Sequence, residues 1–274
     1  MKKIKLIFTA DIHLGITSPA AWKAEAEKMK NEKADIFVIG GDISTSIDKF
    51  SETFDIFSDV ADHKYFVIGN HDVWVREYDS PGDSLLKYQS LIETTKNGFS
   101  CLDKTPSVFT ATDGTTIGIV GIIGWYDYSF RDKKIDILYP LSMNMYKLKR
   151  FPDGRTMWMD GKYVKWGQTD EYMADYFAKI LRTHILNISP VDIICCFIHH
   201  IPFEKMIKNG DDQWNMGNAF SGSKKIEKVI RQYDNIKYVF CGHSHRKFEG
   251  TLYGKKCFNV GVDYREPGYV VVEI

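Results

Sequence analysis

Short apolar runs punctuate this chain, and five of them stop on residues of another kind. Ile4–Thr9 runs out at Asp11 and His13, Ile36–Ile39 passes through Gly40 and Gly41 to Asp42, and Tyr65–Ile68 passes through Gly69 to Asn70 and His71. Further on, Ile193–Ile198 gives way to His199 and His200, and Tyr238–Cys241 passes through Gly242 to His243 and His245. Continuous apolar runs of this length, bounded by turn residues, predict buried strands. In an open α/β sheet such strands deliver ligand-binding residues beyond their carboxyl ends. Between the early runs, apolar residues at helical spacing predict helices over Pro19–Lys33, with Trp22 and Met29, and over Asp48–Asp62, with Phe50, Phe54, Phe57 and Val60. That alternation implies parallel strands with right-handed crossovers.

After His71 the pattern changes. A polar loop containing Pro81-Gly82 leads to a predicted helix over Ser84–Thr95, and Ser107–Thr112 and Thr116–Ile123 predict two strands paired through an Asp113-Gly114 turn. Trp125–Trp166 has no clean period and is crowded with aromatic residues, from Trp125 and Tyr126 to Trp158 and Trp166, interleaved with basic ones. Its aromatic content argues against disorder, so an irregular insertion of about 125–166 is expected at the rim of the site. It either captures substrate by stacking and phosphate attraction or packs as a cap on the body or on a second subunit. Helices are predicted over Thr169–Leu186 and Lys224–Gln232, and strands over Phe248–Tyr253, Lys255–Val260 and Tyr269–Ile274.

Composition narrows the picture. The 274 residues carry a formal net charge of +0, which signals neither a nucleic-acid nor a membrane partner. With no linker-like stretch, one domain over 1–274 is expected. Met1-Lys2-Lys3 ahead of an apolar run imitates a signal peptide, but Asp11 cuts the run short and the first strand is the better reading. No stretch is long enough to span a bilayer. Cys101, Cys195, Cys196, Cys241 and Cys257 form no CxxC pair, so reduced core thiols and a cytoplasmic setting are expected. His63 and His184, in or beside predicted helices, are expected to be structural.

The polar strand ends define the candidate chemistry. Asp11 and His13, like His243 and His245, are spaced so that in extended backbone both side chains face one way. Carboxylate, amide and imidazole ligands suit Mn, Fe or Zn. Asp11, His13, Asp42, Asn70, His199, His243 and His245 exceed the ligand set of one tetrahedral zinc, and a carboxylate such as Asp42 can bridge two ions roughly 3.5–4 Å apart.

The blocks Asp11-Ile12-His13, Gly41-Asp42, Gly69-Asn70-His71-Asp72, His199-His200-Ile201-Pro202 and Gly242-His243-Ser244-His245 follow one another in an order that resembles the calcineurin-like metallophosphoesterase superfamily. The resemblance implies a four-layer αββα sandwich of two mixed β-sheets flanked by helices. It implies one divalent ion on Asp11, His13, Asp42 and His245, and a second on Asp42, Asn70, a histidine of the fourth block and His243. Either histidine of that block fits; the first after the strand favours His199, with His200 supporting the site. His71 matches the catalytic histidine, a general acid and charge stabiliser, and Asp72 is expected to orient it and raise its pKa. The implied reaction is metal-dependent hydrolysis of a phosphate ester by metal-bound hydroxide, a diester before a monoester.

Departures refine this. Relatives that dephosphorylate phosphoproteins follow the second block with Asp-Arg-Gly and the Asn-His pair with Glu, whereas here Asp42 precedes Ile43-Ser44-Thr45-Ser46 and His71 precedes Asp72. The phosphodiesterase and nuclease branches are more similar. Asp11-Ile12-His13-Leu14-Gly15 also resembles DNA-repair exonucleases of the superfamily, although the chain ends soon after the strands following His245, leaving no room for their partner-binding region. Nucleotides, cyclic nucleotides, phospholipid head groups and nucleic-acid ends all present the phosphate such a site addresses, so selectivity is expected in Trp125–Trp166 and Lys205–Phe220. The alternative from another class is a catalytically silent scaffold that recruits a partner through the insertion; a full set of ligand residues weighs against it.

Overall fold

A computed structural model describes residues 4–76, 82–207, 209–262 and 264–274. Met1–Lys3 and Pro81 of the polar loop, on which two of the sequence readings fall, lie outside the described residues.

Strand β1 (Lys5–Thr9) is followed by α1 (Pro19–Asn31), β2 (Ala34–Gly40), α2 (Ile47–Ile56) and β3 (Ala61–Val67). Then come α3 (Ser84–Ile92), β4 (Phe99–Cys101), β5 (Ser107–Thr110) and β6 (Thr116–Ile122). Three short helices, α4 (Lys133–Leu138), α5 (Met143–Leu148) and α6 (Asp160–Tyr163), precede α7 (Asp170–Ile188) and β7 (Ile193–Ile198). The chain continues through α8 (Asp212–Gly217), α9 (Lys224–Arg231), β8 (Ile236–Cys241), β9 (Phe248–Leu252), β10 (Lys255–Asn259) and β11 (Val270–Glu273). Side chains close several helix starts: Ser18 accepts from Ala21 N before α1, Asp83 from Leu85 N before α3, and Thr169 from Tyr172 N before α7.

Two mixed sheets result. The first has the order β11-β1-β2-β3-β4, with β1 to β4 parallel and β11 antiparallel at the edge. The second has the order β5-β6-β7-β8-β10-β9, with parallel pairing from β6 to β10 and an antiparallel strand at either edge. The sheets meet face to face through Phe8, Phe197 and Phe240, whose rings lie 4.8–5.8 Å apart. Helices α1 and α2 cover the outer face of the first sheet, where Phe57 meets both Trp22 and Phe37, and α7 beside α9 covers the second. The fold is therefore α/β, two mixed sheets between helical layers. Burial on both faces explains why the central strands read as unbroken apolar runs.

Several expectations are corrected. Helix α2 stops at Ile56, because β3 already starts at Ala61; Phe57 and Val60 still pack in the core from the turn. His63 lies on β3, its ring edge against Phe109, and in no helix. Three-residue β4 is too short to leave a pattern. Residues 125–166 are not irregular throughout, since α4, α5 and α6 fall within them.

Candidate metal centre

Strands β1, β2, β3, β7 and β8 all end on one edge of the sandwich, and each hands over to a sharp turn. Asp11, His13, Asp42, His243 and His245 take positive φ values of 46–68°. Side chains other than glycine pay a strain of order 1 kcal/mol or more there, tolerated where surrounding structure enforces it. The enforcing bonds are visible: Asp11 N donates to Gly41 O at 3.0 Å and His13 N to Asp42 O at 2.8 Å, while Gly242 N donates to His199 O at 3.1 Å. Gly69 admits the closest approach. A Cβ there would sit 2.1 Å from Asp42 N and 2.2 Å from its Oδ1.

Two pockets of acceptors follow. Around the first, His13 Nε2 lies 3.3 Å from His245 Nε2 and 3.6 Å from Asp42 Oδ2, and the buried Asp11 Oδ2 has no hydrogen-bond partner. Around the second, Asn70 Oδ1 lies 3.0 Å from both His199 Nε2 and His243 Nδ1, and His199 Nε2 is 3.3 Å from Asp42 Oδ1. Asp11, His13 and His245 form one close group, and Asp42, His199 and His243 another.

The ring orientations decide what these groups can hold. His199 Nδ1 is 2.9 Å from Gly40 O and His243 Nε2 is 3.1 Å from Phe220 O, so those nitrogens carry hydrogens. The opposite nitrogens, His199 Nε2 and His243 Nδ1, both face Asn70 Oδ1, as metal-ligating nitrogens do when a backbone carbonyl fixes the far end of the ring. His243 Nδ1 set against Asn70 Oδ1, and Asp11 Oδ2 left without a partner, call for a cation in this buried site. Burial pushes His13 down to about 3 and His243 well below the ordinary range, favouring the neutral form that binds metal. Burial also raises Asp11. Burial works the same way on Asp42, but His199, His71 and His13 outweigh it and hold that carboxyl low. His199 goes the other way, up to about 9, because Asp42 and Asp11 overcome its burial. Among the described residues, the donor set fits two divalent ions.

The remaining candidates separate. His200 turns Nδ1 to Ile123 O at 3.0 Å and leaves Nε2 buried without a partner; its ring lies 4.3 Å from that of His243. His71 lies at the mouth with 16% of its side chain exposed, stacked on Trp74 at 3.8 Å, and its Nε2 is 3.9 Å from Asp42 Oδ2. Asp72 does not touch that ring. Its two oxygens accept from Ser44 N at 2.8 Å and Gly69 N at 2.7 Å, and burial, then Asp42, push it up to about 8. Asp72 thus braces the loop that carries Asn70 and His71, which corrects the expectation that it orients the imidazole.

The insertion reaches this site in a way its sequence does not foretell. Trp125, Tyr126, Tyr128 and Tyr146 are buried, so these rings pack and do not stack on a ligand. Lys149 and Lys147 pair with Asp170 and Glu171, Arg131 with Asp136 and Arg155 with Asp153, which leaves the insertion a weaker phosphate attractor than its charge count implies. Trp158 is different: with Gln213, Trp214, Asn218, Ser221 and His243 it lines a cavity of about 350 Å³ beside the second acceptor group. Sequence reasoning passed over Asp160 and Trp74, which meet across 86 residues of chain where Trp74 Nε1 donates to Asp160 Oδ1 at 2.6 Å.

Fold and site together describe an α/β protein whose buried aspartates and histidines are suited to holding metal. A family model for calcineurin-like phosphoesterases matches residues 4–247, and the chain belongs to that family. Its metal dependence and its phosphate-ester substrates belong to the chain with it. None of the curated proteins compared matches. Among solved structures, the phosphopantetheinyl hydrolase PptH from Mycobacterium tuberculosis superposes with a TM-score of 0.75 at 15% identity, covering 94% of this chain and 89% of that one. A dimetal phosphatase from Danio rerio gives 0.51 at 14%, covering 100% and 93%. A putative 5'-nucleotidase from Staphylococcus aureus gives 0.53 at 13%, covering 98% of this chain but 51% of that one. No helix among the described residues is long and apolar enough to cross a membrane.

Proposed function

We propose that the chain, acting as one metallophosphoesterase domain, hydrolyses a phosphodiester with two divalent ions. Asp11, His13, Asp42 and His245 would hold one, and Asp42, Asn70, His199 and His243 the other. The observation that carries this reading is the convergence of ring nitrogens oriented by Gly40 O and Phe220 O, with Asp42 offering one oxygen to each group. When bound, such ions supply charge that polarises phosphate oxygens and lowers the pKa of a water.

The chain's own residues do the rest. Asp42 and Asp11 set the charge of the site, and the buried walls exclude bulk water. His71, held flat on Trp74 at the mouth, donates a proton from Nε2 to the departing alkoxide when protonated. The cavity beside His243 has room for an organic group on the phosphate, and the Ile43-Ser44-Thr45-Ser46 segment, where phosphoprotein phosphatases differ, supports the diester reading. Five buried, unpaired cysteines support a reducing compartment, the cytoplasm.

The test compares bis-p-nitrophenyl phosphate with p-nitrophenyl phosphate after stripping metal and reloading manganese. Faster diester turnover, reduced about 10²-fold or more in a His71→Ala variant that keeps its metal, is expected. Monoester preference, or full activity in the variant, overturns the diester or the His71 assignment respectively. The names of the structural neighbours add a phosphopantetheinyl ester and a 5′-nucleotide as natural substrates to try.

A further inference from the structure

Ninety residues separate Asn70 from Asp160, the first residue of α6, yet Asn70 Nδ2 donates to Asp160 Oδ1 at 3.0 Å. Asp160 is 1% exposed, and four neutral donors surround it. Trp74 Nε1 shares Oδ1 at 2.6 Å, while Tyr126 OH and Trp158 Nε1 donate to Oδ2 at 3.0 and 2.9 Å. We propose that Asp160 is the positioning residue that assembles the second metal site, by fixing which end of the Asn70 amide faces the ion.

The physical reason lies in the shape of an amide. Oxygen and NH2 of asparagine occupy nearly equal space, so packing alone does not choose between them, and hydrogen bonding must. A carboxylate accepts only. Opposite Asp160, the NH2 is favoured, and the flipped amide would set oxygen against oxygen in a buried site. Oδ1 is therefore turned to His199 Nε2 and His243 Nδ1. The same carboxylate holds Trp74, on which His71 stacks, and Trp158, a wall of the cavity. The insertion thus reaches the ligand shell, the candidate acid and the cavity through one residue.

The inference rests on Asn70 being a metal ligand. Manganese binding to metal-free protein, followed by calorimetry and electron paramagnetic resonance, tests both levels separately. In the parent chain two ions are expected; one ion or none sinks the dinuclear reading itself. In Asp160→Ser and Asp160→Asn the weaker ion's Kd should rise tenfold or more, with the dinuclear signal restored at high manganese. Tyr126→Phe, which removes a donor from the far oxygen only, should leave both ions bound. Two ions at parental affinity in folded Asp160→Ser overturns the proposal. Should neither Asp160 variant fold, asparagine-selective ¹⁵N labelling of the metal-free parent decides: slow exchange of the Asn70 side-chain amide protons is expected, and rapid exchange refutes the clamp.

Discussion

At the scale of single residues, the site is made by backbone conformations that most side chains avoid. Asp11, His13, Asp42, His243 and His245 all turn through positive φ, which points short polar side chains off the strand ends into a common space. Gly69 is the neighbour this crowding cannot do without. In Gly69→Ala the new methyl meets backbone and carboxylate of Asp42, so we expect a loss of about 3 kcal/mol or more together with reduced metal binding. Chemical denaturation beside a manganese titration checks both, and parental values in each would show that the loop yields freely. Of these residues, the ones proposed as ligands stand out in the sequence because each follows directly on an apolar run. Asp160 and Trp74 were not, since no local pattern marks a residue whose partner lies on another element.

At the scale of elements, Asp103 joins the two sheets between β4 and β5. It accepts from Ile68 N at 2.9 Å, just past β3, from Ile123 N at 2.6 Å, just past β6, and from Tyr88 OH on α3 at 3.2 Å. Burial nevertheless pushes its carboxyl up to about 6 against those bonds. The folded chain then binds this proton more tightly than the unfolded chain does. The stabilisation is complete below about pH 4 and is lost as pH rises through about 6, a change of about 3 kcal/mol. Urea midpoints measured from pH 4 to 7 should fall more steeply for the parent than for Asp103→Asn, whose side chain cannot ionise and whose whole curve lies lower through the misplaced NH2. Parallel curves would remove Asp103 as the cause. Elements with a clean period were readable in advance, α1 and β7 among them. Strand β4, the early start of β3 and the three helices of the insertion were not, because they are short and governed by distant packing.

At the scale of the molecule, both proposed metal sites combine residues from the two sheets. Asp11, His13, Asp42 and Asn70 follow strands of the first sheet, and His199, His243 and His245 follow strands of the second. Removing the cations leaves His243 Nδ1 against Asn70 Oδ1 and Asp11 Oδ2 without a partner in a buried space, so chelation is expected to lower the melting temperature by several degrees and abolish turnover, with manganese restoring both. Saturation at about a hundred times Kd is worth about 2.7 kcal/mol. An unchanged melting curve would mean that the metal-free site relaxes without strain.

The packed rings of Phe8, Phe197 and Phe240 acquire a second meaning from this arrangement. They are the bearing on which one sheet rests against the other, and the distance between the halves of each ligand set is the play in that bearing. A change of volume there would detune the metal centre from within the core, without touching a ligand.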